Sequence, residues 1–307
     1  DGTLLDNEID GFVVSYTQAL AKHMASYVEP GFLIKTLMAA TQSMLQRQRP
    51  EATLKESFDE AFYPGLGLEK AVIQDKIDEF YAEVFPTLKP LTRMRPEAVQ
   101  LVEGAFAHGY QVGIATNPLF PRTAILQRLS WAGLSPEKYP FVLIPSYETF
   151  HFAKPNPAFF AEFLGSIGWP EGPVVMVGNE LDLDIAGACL MGIKSFYVTC
   201  ESTLNSTGLY APSASGSLAD ILPWLDSALP ETLLPDYSTP SALLATLRAT
   251  PATRGKLIAR LPSSRWTDRP QPGEWSLTEI LCHLRDAENE VNLPRIQKIA
   301  LEANPFL

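Results

Sequence analysis

The chain has 307 residues, 46% hydrophobic and 19% charged, which is an ordinary globular composition spread over a length that suits two domains. Its net charge of −11 argues against a broad nucleic-acid or anionic-membrane surface, and no run of about 18 apolar residues offers a transmembrane helix. The three cysteines, Cys189, Cys200 and Cys282, form no C-x-x-C pair, so the expectation is a reduced, cytoplasmic setting without a disulfide framework.

The chain opens on Asp1-Gly2-Thr3, with neither an initiator methionine nor a secretory leader. From about Phe12 to Phe85 the pattern is helical. Phe12, Val13, Tyr16, Leu20 and Met24 recur at helical spacing, and Leu33, Leu37, Met38, Thr41 and Leu45 repeat it, so both stripes are expected in a core. Tyr63-Pro64-Gly65-Leu66-Gly67 reads as a turn and not as a phosphate loop, because no G-x-x-x-x-G-K-[ST] follows. After Pro90 short apolar runs alternate with helices. Strands are predicted at Gln111 to Ala115, Phe141 to Pro145, Val174 to Val177 and Ser195 to Val198. Helices are predicted at Pro121–Ala132, Asn156–Ile167 and Asp184–Met191. This alternation implies an α/β fold with a parallel sheet and helices on both faces.

Breaker residues follow at Asn205–Ser217 and again at Pro230, Pro235 and Pro240, and a domain boundary is placed at 230–240. Beyond it the pattern is all helical. Thr250-Pro251 suits a helix N-terminus, and Ser276-Leu277-Thr278-Glu279 has the form of a capping box. The helix that this box opens would carry Leu277, Ile280, Leu281, Leu284, Ala287 and Val291 on one face.

Four segments carry chemistry, each at or just after a predicted strand end, where open α/β sheets bind ligands. They are Asp1-Gly2-Thr3-Leu4-Leu5-Asp6, then Ile114-Ala115-Thr116-Asn117, then Lys154-Pro155-Asn156-Pro157, and finally Val177-Gly178-Asn179-Glu180-Leu181-Asp182-Leu183-Asp184. Phosphoryl transfer through an aspartyl-phosphate needs such a set. Carboxylates attack and protonate, a cation and a hydroxyl hold the equatorial oxygens, and hard oxygen ligands bind Mg²⁺.

Taken in order, these segments resemble the four motifs of the haloacid dehalogenase-like (HAD) superfamily over roughly Asp1 to Leu229. The resemblance implies a Rossmann-like core with a helical cap at about 12–88, the whole domain running over 1–232. It implies a Mg²⁺-dependent phosphohydrolase acting on a small phosphorylated metabolite, with no nucleic-acid or membrane partner. Asp1 would be general acid and then base, Thr116, Asn117 and Lys154 would hold the phosphoryl group, and Asp184 with Glu180 or Asn179 would hold Mg²⁺. The pattern differs in two places. The family's first motif reads D-x-D-G-T, so its nucleophile would lie two residues before Asp1, and the chain as it stands would be inactive. Asn179 stands where G-D is usual, which puts metal binding in question. Rivals in function are a phosphomutase, a dehalogenase and a non-catalytic module that binds phosphate compounds. His151 lies near Lys154 but is expected to be a loop residue.

Beyond a linker at 233–239, residues 240–307 resemble part of the DinB/YfiT-like metalloenzyme family. The likeness rests on Trp275-Ser276, Glu279 and His283-Leu284. It implies that His283 is the first of three histidine ligands to Zn²⁺, Ni²⁺ or Fe²⁺. No later histidine exists in the chain.

Overall fold

The computed structural model describes residues 1–199, 210–259 and 261–303. Cys200 and residues 205–209 of the predicted breaker segment lie outside the described residues. The chain forms two compact units, Asp1–Thr253 and Arg254–Leu307.

The first unit is a Rossmann-type α/β fold with a helical insertion. A two-residue strand, β1 (Leu5–Asp6), leads into four cap helices: α1 (Ile9–His23), α2 (Pro30–Gln46), α3 (Leu54–Leu66) and α4 (Lys70–Glu79). Their starts are written in the sequence. The carboxylate of Glu8 accepts from Gly11 N at 2.7 Å, Glu29 accepts from Gly31 and Phe32 ahead of Pro30, and Thr53 with Glu56 forms a full capping box. The stripe Phe12, Tyr16, Leu20 and Met24 is buried as expected. On α2 the buried face is Leu33, Thr36, Leu37, Ala40 and Met44, whereas Met38 is half exposed. The expected stripe drifted from the helical period after Leu37, where the true face passes through small Ala40. The expected turn at 63–67 is also corrected. Pro64 and Gly65 are helical, and only Gly67, at φ 68°, turns the chain out of α3.

Phe80 and Phe85 have no exposed surface and bind the cap to the rest of the unit, with Phe85 stacked on Trp131 at 5.3 Å. Burial of one such ring contributes roughly 1.5–3 kcal/mol. The chain returns from the cap through β2 (Arg93–Met94), which pairs antiparallel with β1 in the register Leu5↔Met94 and Asp6↔Arg93.

The rest of the unit alternates. Helix α5 (Pro96–Ala107), α6 (Arg122–Trp131) and α7 (Pro157–Ser166) precede β3 (Val175–Gly178). A wide helical turn, Leu181–Ile185, leads into the short α8 (Ala186–Leu190), followed by β4 (Lys194–Val198), β5 (Ala214–Gly216) and α9 (Ile221–Ser227). Strands β3, β4 and β5 form a parallel sheet in that order, with Val177 opposite Phe196 and Val198 opposite Gly216. Thus the strands expected at 174–177 and 195–198 are present, and β5 forms inside the segment expected to be only a breaker. The strands expected at 111–115 and 141–145 are not regular strands among the described residues. They make two parallel-type bonds, Val142 N to Val112 O at 3.0 Å and Ile114 N to Leu143 O at 2.9 Å, and the ladder goes no further.

Helix α10 (Pro240–Ala259) overturns the N-terminus expected at Thr250-Pro251. The helix starts ten residues earlier and runs through Pro251, because Ala242, Ala245, Ala249 and Ala252 form a narrow stripe buried against Phe152, Phe159 and Met191. Proline withholds its amide donor and crowds the preceding turn, a cost this buried stripe offsets, and the neighbouring Thr250 donates its hydroxyl to Thr246 O.

The second unit contains α11 (Leu277–Ala287) and α12 (Leu293–Leu301). The expected capping box is formed, with Glu279 accepting from Ser276 N at 2.8 Å and Ser276 Oγ accepting from Glu279 N at 3.3 Å. No residue of α11 or α12 is buried. No described helix is long and apolar enough to cross a membrane.

Candidate functional site

The first loop is set by Gly2, whose φ of 68° lies in the left-handed region. A side chain there would also run into Asn179. The next residue, Thr3, donates its hydroxyl to Asn179 Oδ1 at 2.7 Å, so the first and fourth motifs are joined by a direct side-chain bond. Arg95, at the start of α5, donates to Gly2 O at 2.7 Å and to Thr3 O at 3.1 Å and holds the same loop from below.

The third motif is fixed through its backbone. Lys154 N donates to Asn117 Oδ1 at 3.0 Å, and Ala153 N donates to Gln48 Oε1 at 2.9 Å. Asn156 then caps α7 by accepting from Ala158 N. The side chain of Lys154 is buried, and its ammonium donates to Asp184 Oδ1. The other oxygen of Asp184 accepts from the amides of Asn179 at 3.0 Å and Glu180 at 3.1 Å. Gly178 is required here, since a Cβ would strike the Asp184 carboxylate.

Asp1 is held by Arg128 of α6. Both Nη2 and Nε of the guanidinium donate to Asp1 Oδ1, the latter at 3.2 Å. Arg128 is 7% exposed, its guanidinium carbon stands 4.0 Å from the centre of the Phe12 ring, and burial lowers its pKa to about 10. It remains a cation at neutral pH.

The structure therefore gathers Asp1, Asn117, Lys154, Asn179 and Asp184, and Thr116 precedes Asn117 in the same loop. Glu180 is exposed beside them. His151 gives its ring to Glu162, with Nδ1 2.7 Å from Oε1, and the buried Glu162 also accepts from His151 N and Phe152 N. This is a brace for the loop that carries Lys154. Arg95 and Arg128 were missed from sequence. An arginine on the apolar face of the 121–132 helix was the one available signal for Arg128.

The oxygens of Asp184, Asn179 and Glu180 are of the hard type that Mg²⁺ prefers. As arranged they do not fit the ion. Both oxygens of Asp184 are engaged by Lys154 and two amides, Asn179 Oδ1 is neutral and engaged by Thr3, and an ammonium supplies the positive charge. Among the described residues no three His, Cys, Asp or Glu side chains stand together as a metal site. His283 packs edge-on against Trp275 at 4.9 Å, and Cys189 and Cys282 are free thiols.

Residues 1–198 match the family model described as haloacid dehalogenase-like hydrolase. No curated protein sequence matches the chain. Among solved structures, a HAD phosphatase from Thermococcus onnurineus is 17% identical, with a TM-score of 0.47 over 73% of this chain and 94% of that one. A 2-haloacid dehalogenase from Pseudomonas syringae pv. Tomato DC3000 is 22% identical, with a TM-score of 0.49 over 74% of this chain and 95% of that one.

Proposed function

Because this chain belongs to the haloacid dehalogenase-like hydrolases, a superfamily that generally uses Mg²⁺, we propose that it serves the hydrolysis of a small phosphomonoester through an aspartyl-phosphate. The observation that carries the reading is the buried Lys154–Asp184 pair, with the Lys154 amide fixed by Asn117 and the Asp1 loop tied to Asn179 through Thr3. In the family pattern the attacking carboxylate stands two positions ahead of Asp1. It forms a bond to phosphorus as the ester oxygen leaves, and Asp1 gives that oxygen its proton. Water then attacks phosphorus, Asp1 takes a proton from the water, and phosphate departs. Lys154 and the Thr116 hydroxyl hold the equatorial oxygens. No step is drawn through Mg²⁺, because the donors do not fit it as arranged.

The test is phosphate release by the full natural chain from a panel of phosphomonoesters, with Asp1→Asn and Lys154→Ala beside it. Loss of turnover of 100-fold or more in both variants is expected. Turnover that survives both would sink the assignment. A second reading, a non-catalytic module that binds phosphate compounds, draws support from Asn179 and from the engaged Asp184. It gains if the full chain binds a phosphate compound without turning any over.

For residues 240–307 the proposed kinship is with the DinB/YfiT-like metalloenzymes, His283 being a ligand. Elemental analysis of the full natural chain and of His283→Ala checks it. Equal metal content in the two would remove His283 from any site.

A further inference from the structure

At the end of β3 away from Asn179 and Asp184, the segment that enters the strand and the segment that follows α9 enclose an open cleft of about 550 Å³. It is lined by Trp169, Pro170, Glu171, Leu234, Pro235 and Tyr237. Its volume falls within the roughly 300–1,000 Å³ common for small-molecule sites. Val174 N donates to Leu233 O at 3.4 Å and ties the two segments together. The rings of Trp169 and Tyr237 stand 5.3 Å apart at 80° and make a corner of two aromatic walls. Both rings pack against the core cluster that contains Phe159, Leu164 and Met191. Among the described residues, Trp169 alone takes a positive φ, 54°, without being a glycine. Glycine adopts this conformation freely, whereas a bulky side chain is strained there. Such strain persists only where the surroundings hold it, and it gathers at ligand clamps. Here Trp169 N donates to Leu164 O at 2.9 Å, which closes α7 and fixes the indole in the cleft wall.

The lining decides the chemistry of the ligand. Glu171 is exposed and has no hydrogen-bond or ion-pair partner among the described residues, and no basic residue lines the cleft. An anion would meet that carboxylate with no positive charge to hold it. A neutral hydrocarbon would cover the carboxylate and offer it no partner. A hard divalent cation needs several oxygen ligands, and one carboxylate is present. A primary ammonium would bring three N–H donors to the same single carboxylate. A quaternary ammonium has no N–H to satisfy. Its methyl groups rest on the rings, and its charge is attracted both by their π faces and by Glu171. We propose that this cleft binds a quaternary ammonium group, with Trp169 and Tyr237 as its walls and Glu171 as its counter-ion. The site lies apart from Lys154 and Asp184 and is independent of the reaction proposed above.

Equilibrium dialysis of the full natural chain against radiolabelled choline should give saturable binding at one site per chain. 3,3-Dimethylbutan-1-ol has the shape of choline without its charge, and ethanolamine has the charge with N–H groups. Each should compete at least tenfold more weakly than unlabelled choline. Trp169→Ala should weaken choline binding at least tenfold, and Glu171→Gln, a change at an exposed position, at least fivefold. Circular dichroism checks the fold of both, and Glu171→Gln decides alone if the loss of the indole unfolds the chain. The acetylated amide of Nε-trimethyllysine is a further competitor. Stronger competition than choline's assigns the group to a peptide side chain, and weaker competition assigns it to a free amine. No saturable binding up to about 10 mM choline would overturn the proposal. So would equal competition by the neutral alcohol, or choline binding untouched by Glu171→Gln.

Discussion

Lys154 and Asp184 meet as a buried ion pair 30 residues apart in sequence, each less than a tenth exposed. Neither charge has water to fall back on. Lys154→Met should leave the Asp184 carboxylate with only two amide donors and destabilise the first unit by about 3–5 kcal/mol. Lys154→Met with Asp184→Leu, which removes both charges, should recover much of that loss. Urea unfolding of the three proteins checks this, and a single variant as stable as the parent would show that the pair contributes nothing.

Asn179 should be the residue that sets the affinity for Mg²⁺. Asn179→Asp keeps an oxygen for the Thr3 hydroxyl and adds an anionic donor beside Glu180. We expect Mg²⁺ to bind the full natural chain at least tenfold more tightly after the change, a gain of about 1.4 kcal/mol. Titration calorimetry reads it directly. An unchanged affinity would mean that the loop, and not the missing charge, keeps the ion out.

Alkaline pH should loosen the cap. Tyr16 and Tyr81 share a hydroxyl–hydroxyl hydrogen bond of 2.8 Å, and burial raises Tyr16 to about 12 and Tyr81 well above its ordinary value of 10. Unfolded tyrosines ionise near pH 10, so the folded state holds these protons longer than the unfolded one. The stability linked to them is complete below pH 10 and is lost as pH rises through the folded values. Urea midpoints should therefore fall between pH 10 and 12, with tyrosinate absorbance from this pair emerging only as the cap unfolds. Tyr16→Phe should cost about 1–2 kcal/mol at neutral pH, since it strands a buried hydroxyl.

Gly192 should tolerate no side chain. Its φ is 77°, and a Cβ would run into the backbone carbonyl of Asp236, whose own amide bonds Gly192 O at 2.9 Å. Gly192→Ala combines left-handed strain with a clash against backbone and should cost more than about 1 kcal/mol. Thermal melts give the answer, and an unshifted melting temperature would mean that the 190–194 turn relaxes freely.

What the sequence could reveal was set by how local each signal is. The Ser276–Glu279 box, the strands at β3 and β4 and the α1 stripe depend on residues a few positions apart, and they formed as read. The four chemical segments were legible because each lies on a short motif. Arg128 and Arg95 were not, because their partners Asp1 and Gly2 are distant in sequence. Pro251 misled for the same reason. Its local meaning is a helix start, but the alanine stripe of α10 packs on residues from the 150s and 190s and carries the helix straight through.

The β1–β2 pair has a consequence for how such a protein can change over generations. The chain leaves for the cap after Asp6 and comes back at Arg93, and these two residues sit side by side, joined by an ion pair as well as by strand register. Everything between them is thus threaded through a single two-lane gateway. A different insertion whose ends lie one strand spacing apart could be grafted there without rerouting the parallel sheet. The core and its loops could keep their chemistry while lineages exchange the helices inserted between these two strands.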